Sequence, residues 1–167
     1  MLENYTLGRM KGELLRASRL LHSSLGVWPT SYAYCCGQSF VGRGIHLKSY
    51  VPLVAKLFVV GQAGFSEAYA NPMRCDIAQV PSIKFDNKNF EEILATLESA
   101  IADRCWLILM GHEVGDIRTT QTTSASVLKR LCSYLKGRPE IWVDTVSAVG
   151  RYVAANVTHP LARSHVG

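Results

Sequence analysis

Residues 107–113 read Leu107-Ile108-Leu109-Met110-Gly111-His112-Glu113, an apolar run that passes directly into a histidine and an acid. In an α/β protein the carboxyl end of a strand is where reacting side chains gather: the sheet holds the strand end still while the following loops shape a cleft. An imidazole placed there gives or takes a proton near neutral pH. His112 is therefore the first candidate for acid-base chemistry. Glu113, one residue on, faces the other side of a strand and makes a poor companion base. The sequence contains no His-x-x-x-His, Cys-x-x-Cys or Gly-x-Ser-x-Gly to join it.

The other reactive side chains are scattered. His22 lies on a helix, His46 in a loop, and His159 and His165 near the end of the chain, none at a ligand-like spacing from another. Cys35, Cys36, Cys75, Cys105 and Cys132 form an odd set without metal-ligand spacing. Cys105 and Cys132 sit in apolar patterns and are expected to be small buried hydrophobes. Adjacent Cys35 and Cys36 are expected as buried thiols rather than a strained vicinal disulfide. A reducing compartment, the cytoplasm, is the expectation that follows. Gly37, Gly42 and Gly44 crowd one loop, yet no Lys-Ser/Thr and no long helix follow as a phosphate loop requires.

The chain has 167 residues, 48% hydrophobic and 19% charged, which suits one folded domain over residues 1–155 with a frayed tail over 156–167. Its net charge of +5 is spread from Arg9 to Arg163. The loose basic group Arg9, Lys11, Arg16 and Arg19 falls on the helix face opposite Leu7, Met10, Leu14 and Leu21, so a solvated face is expected and a nucleic-acid partner is not. No signal-peptide core opens the sequence and no apolar run approaches spanning length, so a membrane partner is not expected either.

The elements that must position His112 follow from periodicity. Leu7, Met10, Leu14, Leu21 and Leu25 keep helical spacing up to Gly26, a natural C-cap. Pro52 suits the first turn of a helix ending at Leu57. Asn89 with Glu92 forms a capping box ahead of the stripe Phe90, Ile93, Leu94, Leu97 and Ile101. Ser124 is expected to cap the next helix, with Val127, Leu128, Leu131 and Leu135 inward and Gly137 terminating it; Val146, Val149, Tyr152 and Val153 mark the last helix. Between these, strands are expected near 31–36, 58–61, 75–80, 105–111 and 141–143. Strands separated by helices imply a parallel sheet, either open or part of a barrel.

Three stretches together resemble the C-terminal part of a polysaccharide deacetylase domain, the family-four carbohydrate esterases. Leu25-Gly26-Val27-Trp28-Pro29-Thr30-Ser31-Tyr32-Ala33-Tyr34-Cys35-Cys36-Gly37-Gln38 is similar to the "G-x-x-P-x-x-F-A-Y-P-x-G" strand of those enzymes. Trp106 to Glu113 resembles their last histidine-bearing strand. Ile141-Trp142-Val143-Asp144 to Tyr152 resembles their closing strand and helix, "W-x-x-T-x-x-E-I-x-x-Y". The resemblance covers roughly residues 5–155. It departs from the pattern at Cys35, where proline is usual.

The resemblance implies an α/β fold, a partial (β/α) barrel of about five parallel strands with flanking helices. It implies a hydrolase acting on the carbon-nitrogen bond of N-acetylated sugars. In such enzymes a metal polarises the acetamide and activates water, a carboxylate takes the water proton, and a histidine protonates the leaving amine. Only the last role carries over, onto His112 as general acid, with Asp144 as its orienting partner. Tyr34, Cys36, Gly37 and Gln38 would line the sugar groove. The "T-F-D-D" strand and "H-x-x-x-H" segment that hold zinc or another divalent metal in the complete domain have no counterpart in the sequence. The expectation is therefore no metal in this chain and no turnover by it alone, with a carbohydrate ligand and either a second copy or a complementing N-terminal segment as partner. The alternative is a non-catalytic carbohydrate-binding module derived from the same fold.

Overall fold

Thr6 starts the first helix by accepting the Arg9 backbone N–H on its side-chain oxygen at 3.1 Å. Gly26, at φ 73°, ends it by donating to the His22 carbonyl at 2.8 Å. From this beginning the computed structural model describes residues 2–64, 66–117 and 119–156. In chain order these form α1 (Leu7–Leu25), β1 (Ser31–Ala33), β2 (Phe40–Val41), β3 (Lys48–Ser49), α2 (Val51–Leu57), β4 (Val60–Gln62), β5 (Ile83–Lys84), α3 (Phe90–Ala102), β6 (Leu109–Met110), β7 (Glu113–Gly115), β8 (Thr122–Ser124), α4 (Ala125–Lys136) and α5 (Val146–Asn156). The class is mixed α/β. Short strands pair two by two, β1 with β4, β5 with β6 and β7 with β8 in parallel, β2 with β3 antiparallel.

The chain divides into two compact units. Residues 2–64, 76–80 and 146–156 form the first; 66–75, 81–117 and 119–145 form the second.

In the first unit, Met10 and Leu14 of α1 pack with Tyr34, Val41, Tyr50, Val54 and Ala78. Tyr50 and Val54 are fully buried, each such side chain contributing roughly 2 kcal/mol of apolar burial. Val80 extends the β1–β4 pair by a parallel bridge to Gln62. Gly61 lets this happen, because a Cβ there would stand 2.3 Å from the Ala78 carbonyl oxygen. Gly150 of α5 rests on Val60 in the same way, with 3.0 Å left for a Cβ. The apolar stripe of α1 is covered only in its first half: Leu21 is 45% exposed and Leu25 67%.

In the second unit, α3 and α4 pack on Phe85 and Ile93, with Leu97 and Leu131 between them. The capping box at α3 is complete, Asn89 and Glu92 each accepting the other's backbone N–H, at 2.7 and 2.9 Å. Ser124 occupies the N-cap position of α4 without a side-chain capping bond; its hydroxyl pairs with Ser126 instead.

Three of the expected strands are shorter or shifted: 31–36 is strand only to Ala33 and turns as a 3-10 helix at Cys35–Gly37, 58–61 becomes β4 at Val60–Gln62, and 105–111 keeps only Leu109–Met110; the other two do not form. Residues 75–80 are turns with a single bridge at Val80, because Asp76 closes a local turn by accepting the Ala78 and Gln79 backbone N–H groups, the first on its side chain. Residues 141–143 form no strand: Trp142 and Val143 are 53% and 62% exposed, and Asp144 holds the Trp142 indole N–H at 3.3 Å. Cys35, Cys36 and Cys132 are exposed free thiols rather than buried ones. His159, His165 and the expected frayed tail, Asn156 apart, lie outside the described residues.

Candidate functional site

β5, β6 and β8 of the second unit end close together, and each end contributes one polar group. After β5 comes Asp86, whose side chain is wholly buried; after β6 comes His112, whose side chain is 43% exposed; β8 carries Thr123, 3% exposed. Asp86 is the hub. Its Oδ2 lies 2.6 Å from His112 Nδ1. Its Oδ1 accepts the His112 backbone N–H at 3.1 Å and the Thr123 hydroxyl at 3.0 Å.

Gly111 permits this convergence, since a Cβ at that position would stand 3.0 Å from Thr123 Oγ1 and 3.2 Å from Asp86 Oδ1. Burial by itself raises the Asp86 carboxyl, but the bonds from the His112 ring, the His112 backbone and Thr123, with the electrostatic pull of the His112 ring, outweigh it and hold the group below its ordinary value of 3.8. Asp86 is thus the ionised partner of the pair. An Nδ1–H donated to that carboxylate fixes the ring and leaves Nε2 to take up or release a proton.

Glu113 follows His112 but belongs to a separate network, accepting the Thr122 hydroxyl at 2.6 Å, with Thr119 Oγ1 2.6 Å from Thr122 Oγ1. Beyond it a cavity of about 250 Å³ opens among Asn87, Lys88, Asp116, Thr122 and Ser124. Asn87, directly after Asp86, adopts φ 58° and donates its backbone N–H to the Thr122 carbonyl at 2.9 Å.

Of the residues singled out from sequence, His112 holds the strand-end position foreseen for it. The carboxylate at its ring is Asp86, not Asp144, which accepts the Trp142 indole and the Thr145 backbone N–H. Tyr34, Cys36, Gly37 and Gln38 belong to the first unit, His112 to the second. Tyr34 is a core side chain, 5% exposed, with its hydroxyl on the Ala78 carbonyl at 2.8 Å. Desolvation, then the neighbouring Tyr32, lifts that hydroxyl well above the usual tyrosine range. Cys36, at φ 51°, and Gln38 are exposed, and the Gln38 carbonyl accepts the buried Tyr50 hydroxyl.

Asp86 Oδ2 faces His112 Nδ1, Asp86 Oδ1 accepts the His112 backbone N–H and the Thr123 hydroxyl, and among the described residues no three potential metal ligands converge. Compared with known proteins, the chain matches no family model, no curated protein and no solved structure.

Proposed function

We propose that the chain is the distal part of a polysaccharide deacetylase-type domain, a partial (β/α) barrel in which Asp86 and His112 form the proton-donating arm of an amide hydrolase for N-acetylated sugars. The observation that carries this reading is the buried, ionised Asp86 at the ring of a half-exposed strand-end His112. That arrangement suits a general acid: the carboxylate orients the ring, and Nε2 delivers the proton to the departing amine. Thr123 and the His112 backbone N–H hold Asp86 still. The water-activating half of the reaction would come from a complementing segment or a second copy.

Acetate release from N-acetylated oligosaccharides tests the proposal. The expected outcome is no release and no stoichiometric zinc for the chain alone. Release should appear once an in-frame segment carrying an Asp-Asp strand and a His-x-x-x-His is supplied, and fall roughly 10²- to 10⁴-fold in His112→Ala. Release indifferent to His112, or stoichiometric zinc in the chain alone, would sink it.

The cavity of Asn87, Lys88, Asp116 and Ser124 favours one second reading, a carbohydrate-binding module without turnover, since amides and hydroxyls match sugar hydroxyls. Oligosaccharide binding that survives His112→Ala but is lost in Asn87→Ala, with no release under any condition, would select it.

A further inference from the structure

The turn of the β2–β3 hairpin, Gly42-Arg43-Gly44-Ile45-His46-Leu47, carries two aliphatic side chains where a solvent-facing turn ordinarily carries small or polar ones. Every residue from Arg43 to Lys48 is exposed, Ile45 at 94%, and Phe40 and Leu47 beside them are about half exposed. The turn is nevertheless firmly built. Val41 and Tyr50 root its two strands in the first unit's core at 1% and 0% exposure. His46 and Leu47 donate their backbone N–H groups to Arg43 and Gly44 at 3.0 and 3.1 Å. Gly42, at φ 78°, leaves only 2.4 Å between an added Cβ and the His46 carbonyl oxygen. Ile45 is therefore held outward in a fixed conformation, and burying it in a partner costs little ordering entropy.

The local charge points to the partner. Within Phe40–Ser49 the charged side chains are the cations Arg43 and Lys48, with one exposed acid, Glu3, beside the hairpin's base, where the Leu2 carbonyl accepts the Gly42 N–H at 3.1 Å. Arg43 and Lys48 bracket Ile45, and neither enters an ion pair among the described residues. A projecting aliphatic tip flanked by free cations matches a surface that is both negatively charged and soft enough to admit the tip without a preformed pocket. The interface of an anionic bilayer has both properties: aliphatic side chains enter the acyl boundary while cationic heads stay among the phosphates.

We propose that the Phe40–Ser49 hairpin docks this protein reversibly on anionic lipid surfaces, with Ile45, Leu47 and Phe40 inserting and Arg43 and Lys48 meeting headgroup phosphates. The sequence expectation of no membrane partner rested on spanning length, which a surface tip does not need.

Co-sedimentation of the full chain with phosphatidylcholine vesicles, with and without phosphatidylglycerol, is the test. Binding is expected only with the anionic lipid, falling about fivefold in each of Arg43→Ala and Lys48→Ala. Ile45→Asp should lower it at least about tenfold, and Ile45→Ser should act in the same direction, both with unchanged thermal unfolding. Equal binding to the two vesicle types, or binding indifferent to Ile45, overturns the proposal. So does a drop in solution mass on Ile45→Asp in light scattering without lipid, which would make a second copy the occupant of the tip.

Discussion

Asp86 receives three hydrogen bonds on a side chain that is itself wholly buried, so its replacement has two separable effects. Asp86→Asn keeps the shape but sets an amide N–H against His112 Nδ1, which must then give up its proton to Nε2. Imidazole nitrogen NMR should show that exchange of tautomers, and urea unfolding a loss of about 1–3 kcal/mol. The sign with pH follows from the lowered Asp86 value. A carboxyl whose folded pKa is depressed stabilises the fold above its unfolded value near 3.8 and loses that contribution as pH falls through the folded value. The stability gap between wild type and Asp86→Asn should therefore hold at about pH 5 and close at lower pH. His112 was legible because five apolar or small residues, Leu107 to Gly111, lead into it. Asp86 was not: Ile83-Lys84-Phe85-Asp86 is short, follows Pro81 and carries a lysine in its middle, so it reads as loop. An apolar pair ending in an acid was the only signal present. Asp144 is suggested by its place at the end of an expected strand over 141–143, and the adjacent indole and α5 entrance occupy it instead.

At the scale of elements, helices were far more legible than strands. A helix announces itself over ten or more residues through caps and a 3.6-residue stripe, whereas these strands are two or three residues long and their pairing is decided by distant partners. Ile141-Trp142-Val143 has strand-forming side chains but no neighbour to pair with among the described residues, and its indole turns to Asp144. Caps can be weighed against each other by experiment. Asn89→Ala removes one arm of a closed capping box and should cost about 1 kcal/mol in urea unfolding. Ser124→Ala should cost only a few tenths, since that hydroxyl accepts no backbone N–H of the helix end. Equal losses at both positions would show that α4 depends on Ser124 in a way its geometry does not display.

For the whole molecule, composition and pattern made the α/β class legible, but not the interleaving of its two units, because nothing in a local pattern records which segments return. The first unit draws on residues 2–64, 76–80 and 146–156, so it is complete only with Ala78 against Gly61 and Gly150 against Val60. A fragment ending at Gly64 should accordingly show no cooperative thermal transition in circular dichroism, while the full chain does. The same interleaving bears on how the protein is made. About ninety residues separate Val60 from Gly150, and a ribosome adding roughly 5–20 residues per second needs some five to eighteen seconds to deliver the second after the first. For that interval β4 has left the translation machinery with its Val60 face bare, a hydrophobic strand awaiting a helix not yet synthesised. Nascent-chain holding factors would meet this protein there, and a slower codon run before Val146 would lengthen the encounter.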